Sequence, residues 1–123
     1  MTAQSRFKIY SGAELIGWSE FEGADPPMGV AWGRFVPTPS YDAVRLLIVD
    51  SLSAPDRCAA QAHLSLSVRT PEDRVIESYV GLWIRDQSAK FGPEGLEVEL
   101  LGVRDYALYF PQHAARYCGD FTL

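Results

Sequence analysis

The stretch from Gln61 to Arg85 constrains the fold of this chain more than any other. Ala62, Leu64, Leu66 and Val68 alternate with Gln61, His63, Ser65, Ser67 and Arg69. A period of two puts the first set on one face of a strand and the second on the other. Thr70-Pro71-Glu72-Asp73 then reads as a turn. Beyond it, Ile76, Val80, Leu82 and Ile84 point one way, and Glu77, Tyr79, Trp83 and Arg85 the other. The pattern predicts an antiparallel hairpin over 62–84, with the aliphatic set inward and His63, Arg69, Glu77, Tyr79 and Trp83 toward water.

The remaining segments extend the same picture. Arg6 to Tyr10, Ser11-Gly12 and Glu14 to Glu22 form a second hairpin signal. Gly23-Ala24-Asp25-Pro26-Pro27 is a loop, because two consecutive prolines remove two backbone donors. Gly29 to Val36 reads as a short strand, and Leu96, Val98 and Leu100 alternate with Glu97 and Glu99 in another. Ser40 to about Leu52 has helical spacing, although the branched aliphatics of Val44 to Val49 equally suit a strand. Ser53-Ala54-Pro55-Asp56 resembles a helix start running to about Gln61, and Asp105 to Phe110 fits either a short helix or an edge strand. Pro111 and Gly119 bracket a final helix over Gln112 to Cys118.

Strands and helices thus fall in blocks. The expected fold is α+β: a mostly antiparallel sheet of about five or six strands with about two or three short helices. A chain of 123 residues, 47% hydrophobic and 12% aromatic, has material for one core, so residues 1–123 are expected to form a single domain.

Eleven Lys and Arg face sixteen Asp and Glu, a formal charge of −5. That field has the wrong sign for displacing counterions from nucleic acid, so no nucleic-acid partner is expected. The longest purely aliphatic run is Leu46 to Val49, against about 20 apolar residues for a membrane span. With no signal-like segment at the start, the expected address is the cytoplasm, with Cys58 and Cys118 as thiols.

Candidate chemistry is sparse. Cys58-x4-His63 and His113-x4-Cys118 hold soft metal ligands, but this spacing differs from that of structural zinc sites. Packing is the simpler role for both cysteines, and no strained turn marks either as a nucleophile. Gly29 and Gly33 lack the Lys-Ser or Lys-Thr of a phosphate loop. Glu97 and Glu99 share a strand face at a spacing that acid–base pairs also use, though exposed strands routinely carry such pairs. No catalytic residue, metal or cofactor is expected.

The better reading is binding. Asp25 to Tyr41 concentrates Trp32, Arg34, Phe35 and Tyr41 between chain breakers, and Trp, Tyr and Arg carry much of the energy at interfaces. Whether Trp32 and Phe35 are core or surface is open from sequence. Glu97, Glu99, Glu77, Tyr79 and Trp83 supply acidic and aromatic strand faces. Together they suggest a non-catalytic interaction domain for a basic protein partner or for a second copy of itself. A toxin-neutralising immunity protein is one concrete form, because an acidic surface steers onto a basic toxin. The rival is a ligand-binding or enzymatic pocket lined by Trp18, Trp32, Tyr79 and Trp83, with Arg34 or His63 fixing a polar group.

Overall fold

The computed structural model describes residues 6–120, without the side chains of 57–58 and 117–120. Its described residues form two antiparallel sheets of four strands each, flanked by short helices. The class is α+β as the sequence indicates, with more strands than expected.

The first sheet is built on the N-terminal hairpin, β1 (Phe7–Ser11) and β2 (Glu14–Ser19). Gly12 makes the tight turn between them at φ +59°, a region that side chains with a Cβ rarely enter. The chain then leaves this sheet at Phe21, which lies at φ +46°. A left-handed non-glycine residue costs about 1–2 kcal/mol. Two features hold it: the Phe21 N–H donates to Ser19 Oγ at 3.0 Å, and its fully buried ring packs edge-on to Phe7 and Phe110.

In the second sheet, β3 (Gly23–Asp25) and β4 (Val30–Arg34) pair across a 3-10 turn at Pro26–Met28. The expected loop over 23–27 is therefore strand in its first part, because Ala24 and its neighbours find partners on β4. Phe35 is the next crossing point. Its N–H still bonds to Leu96 O of the second sheet, while β5 (Val36–Pro37) already pairs with β2. The ring is buried against Tyr41, with centroids 5.1 Å apart.

A 3-10 turn at Pro39–Ala43 leads into α1 (Arg45–Ser51), which decides the helix-or-strand alternative in favour of helix. Helix α2 (Arg57–Ala60) begins one residue after Asp56, whose Oδ1 accepts the Ala59 N–H at 3.1 Å. Asp56 is thus the capping side chain. A 3-10 turn at Ala62–Leu64 ends at Ser65 in the left-handed conformation. Strand β6 (Leu66–Arg69) starts only there, four residues later than the alternation implied.

The predicted 62–84 hairpin is corrected by the pairing. Strand β6 joins the first sheet beside β1, in the order β5-β2-β1-β6. Strand β7 (Ser78–Asp86) joins the second sheet, in the order β3-β4-β8-β7, paired with β8 (Leu96–Val103). The two arms of the turn are linked by an isolated Arg69–Val75 bridge, with the Thr70 N–H bonding to Arg74 O and the Ile76 N–H to Val68 O, and not by a ladder between β6 and β7. Between β7 and β8 lie α3 (Ser88–Phe91) and a 3-10 turn at Gly92–Gly95. Helices α4 (Tyr106–Tyr109) and α5 (Pro111–Asp120) follow, so the segment over 105–110 takes its short-helix alternative at Tyr106–Tyr109.

Inward faces of both sheets meet in one core. Ile9, Ile16 and Val68 come from the first sheet, and Ala31, Leu82, Ile84, Val98 and Leu100 from the second, with Phe21 and Phe35 at the crossings. Val80 departs from its expected inward set. The β7–β8 register shifts between Ser78 and Gly81, and that bulge turns Val80 out to solvent.

The edge of β7 is covered by buried polar side chains. The Gln61 amide, placed by the sequence on a wet face, is instead buried beside Ile84. It donates to Ile84 O at 2.8 Å and accepts the Ile84 N–H at 2.9 Å, replacing a neighbouring strand. It also donates to Ser51 Oγ at 2.8 Å, and that hydroxyl donates to Ile48 O. At the end of β7, the buried Asp86 carboxylate accepts from Tyr41 Oη at 2.7 Å and from the backbone N–H and hydroxyl of Ser88. Burial pushes its pKa up, but the Ser88 and Tyr41 hydrogen bonds and the Arg45 charge outweigh it and hold the carboxyl below its ordinary value. Burial and the same carboxylate push the Tyr41 phenol far up.

Candidate functional site

Strand β8 lies between β4 and β7, and their registers align the outward-facing side chains in rows. Trp32 stands opposite Glu99, which stands opposite Trp83. One step along, Arg34 stands opposite Glu97, which stands opposite Arg85. The consecutive strands β7 and β8 and the distant β4 thus bring five of the predicted site residues, Trp32, Arg34, Trp83, Glu97 and Glu99, to one face. This is the face away from the core, since Ala31, Leu82, Ile84, Val98 and Leu100 point the other way.

The rows are cross-linked. Trp83 Nε1–H donates to Glu99 Oε1 at 2.7 Å, and Arg85 Nη1 lies 3.1 Å from Glu97 Oε1 with its guanidinium 5.2 Å from the Trp83 ring centre. These neighbours leave Trp83 only 7% exposed. The expectation that Trp83 lies on a wet face is corrected: the sheet face is outer, but the indole is buried, with the Glu99 and Arg85 side chains against it. Trp32 remains half-buried, lying over Gly23 so closely that a Cβ at residue 23 would run into the indole. Trp32 is therefore surface and Phe35 core, which separates two aromatics the sequence could not.

Beside Trp32 a shallow groove of about 330 Å3 is bordered by Glu22, Arg34, Glu94 and Glu97. Glu22 Oε1 accepts the Arg34 backbone N–H at 3.0 Å, continuing the β3 edge with a side chain. The Arg34 side chain is exposed and has no ion pair among the described residues. Four carboxylates, Glu22, Glu94, Glu97 and Glu99, thus share the surface with two guanidinium groups, Arg34 and Arg85. Sequence reasoning missed Arg85, Glu22 and Glu94. For Arg85 a signal existed, since it is two residues from Trp83 on the same strand face.

Glu77 and Tyr79 are not brought to this array. They lie at the other side of the β7 bulge, where Arg104 sits 3.6 Å from Glu77 and 5.0 Å from the Tyr79 ring centre. Tyr79 is 75% exposed next to the exposed Val80.

The four aromatics of the alternative pocket do not converge. Trp18 belongs to the first sheet, under the Arg6 guanidinium, while Trp32 and Trp83 flank Glu99 and Tyr79 lies beyond the bulge. His63 is exposed on the turn before β6. Among the described residues no cluster of three or more His, Cys, Asp or Glu is arranged to hold a metal. The Cys58 and Cys118 side chains of the paired Cys–His motif lie outside the described residues. No helix among the described residues is long and apolar enough to cross a membrane.

What the fold and this face define is an α+β two-sheet domain presenting an aromatic and acidic strand surface. No family model matches the chain, and no curated protein or solved structure is significantly similar to it.

Proposed function

We propose that this domain is a non-catalytic protein-interaction module that binds a basic partner through the outer face of β4, β8 and β7. The observation that carries the proposal is the register placing Trp32 and Arg34, the residue types that dominate interface energetics, beside Glu97 and Glu99 on one accessible sheet face. The excess of carboxylates there has the sign of the whole chain, so long-range steering and local contact favour the same cationic partner. The buried Trp83 and the part-exposed Arg85 hold the two glutamates in place. Neutralisation of a basic toxin by a cytoplasmic immunity protein is the concrete form with this electrostatic logic.

The test is affinity capture from the source cells with the wild-type chain and with Trp32→Ala and Glu97→Lys variants, followed by mass spectrometry. A basic protein retained by wild type and lost with both variants supports the proposal. Equal retention by all three would place binding elsewhere and sink it. Sedimentation at several concentrations separates the self-association form, in which the same variants would abolish a dimer.

A further inference from the structure

A second cleft, away from the sheet face, has the composition of a small-molecule site. It opens between β1, the β2–β3 crossing, the β6–β7 turn and helices α4 and α5, with a volume of about 450 Å3. Ligand pockets commonly measure about 300–1,000 Å3. Its wall is a column of flat rings: Phe7 stacks on Phe110 at 5.1 Å, and Phe110 stacks on His113 at 5.1 Å with the planes 2° apart. The column is fixed from behind. Tyr106 Oη donates to Val30 O at 2.9 Å and lies 3.2 Å from His113 Nδ1, and His113 is 9% exposed. Burial, assisted by the Arg116 charge and opposed by a backbone hydrogen bond with Phe21, holds the His113 pKa below its ordinary value.

Charges at the cleft are uncompensated. Glu20, Glu72 and Arg74 all line it and are all exposed, and none forms an ion pair among the described residues. Among the lining residues, two carboxylates against one guanidinium leave a negative cleft beside the half-buried Phe7 and Tyr109 rings, whose quadrupole also attracts cations. We infer that this cleft binds an organic ammonium with an aromatic or branched apolar body. The body lies against Phe7, Tyr109 and Phe110, and the cationic head is held at Glu20 and Glu72. Among the lining residues an anion would find one cation, Arg74, and repulsion from both carboxylates. This site is independent of the sheet-face proposal, because no residue of one contributes to the other.

The experiment is a titration of the full chain with phenethylammonium, and in parallel with 3-phenylpropionate, followed by amide chemical shifts. Saturable millimolar binding of the ammonium is expected, with shifts centred on Phe7, Glu72, Tyr109 and His113, and at least tenfold weaker binding in the Glu20→Gln, Glu72→Gln double variant. Both substitutions are isosteric and exposed, and an unchanged thermal midpoint confirms an intact fold. Three results would each overturn the inference: no saturable ammonium binding, shifts that map to another surface, or a carboxylate that binds as well as the ammonium.

Discussion

Replacing Gln61 by Leu tests whether a side chain stands in for a missing strand at the edge of β7. Leucine keeps most of the volume but can neither donate to Ile84 O nor accept from Ile84 N–H, bonds that are 2.8 and 2.9 Å long in a fully buried setting. Each buried backbone group left unpaired costs about 1–3 kcal/mol. Added apolar burial returns roughly 1 kcal/mol, and the Ser51 hydroxyl still donates to Ile48 O. The expected net loss is about 1–5 kcal/mol, which at an m of about 2 kcal/mol/M moves the urea midpoint down by roughly 0.5–2.5 M. Equilibrium urea unfolding followed by circular dichroism measures it. A loss under about 1 kcal/mol at unchanged m would refute the reasoning, since it would mean the edge groups need no partner. Gln61→Glu supplies a signature that a packing effect lacks. A carboxylate there still accepts from Ile84 N–H but opposes the Ile84 carbonyl, so its folded pKa is raised above the unfolded value of about 4.3. That variant should therefore be least impaired below about pH 4 and lose stability as pH rises through the folded pKa.

Other consequences can be measured on the same footing. Because the Asp86 carboxyl is held below its ordinary value, its contribution is present above about pH 4 and is lost as pH falls toward the folded pKa, so acid unfolding of Asp86→Asn should be flatter than wild type. Tyr41→Phe removes one hydrogen bond to that buried carboxylate and should cost about 1.5–3 kcal/mol by urea unfolding; a neutral result would disconnect Tyr41 from Asp86. A double-mutant cycle on Arg85 and Glu97 should give a coupling under about 1 kcal/mol, weakened by salt, because the pair is part-exposed. Gly23→Ala should leave the fold intact yet displace the Trp32 indole, read as a red-shifted tryptophan emission absent in a Trp32→Phe background.

What the sequence made legible was the face on which a side chain lies. Val68, Leu82, Ile84, Leu96, Val98 and Leu100 are buried as alternation implied, because an amphipathic strand must turn its apolar side to the core whichever strand lies beside it. Which strand lies beside it is another matter. The turn sequence at Thr70–Asp73 is real, with Asp73 N–H bonding to Thr70 O, yet the arms enter different sheets, β6 pairing with β1 and β7 with β8. The β1–β6 and β4–β8 pairings join positions as distant as Lys8 and Arg69 or Ala31 and Leu100, for which no local signal exists.

The same gap explains a misplaced polar residue. Gln61 looks wet because its type is usually hydrated; it is dry because the fold presents it with the Ile84 backbone and Ser51 as partners, as it presents the buried Asp86 with Tyr41 and Ser88. The candidate face inherits both lessons. Its residue types were readable one strand at a time, but Trp32, Glu99 and Trp83 form a row only because β8 runs between β4 and β7. Glu77 and Tyr79 fall out of it because the bulge ending at Gly81 resets the register. If binding depends on the row and not on acidity alone, Trp32→Ala must weaken capture while leaving the net charge at −5, whereas a purely electrostatic partner would not notice the change.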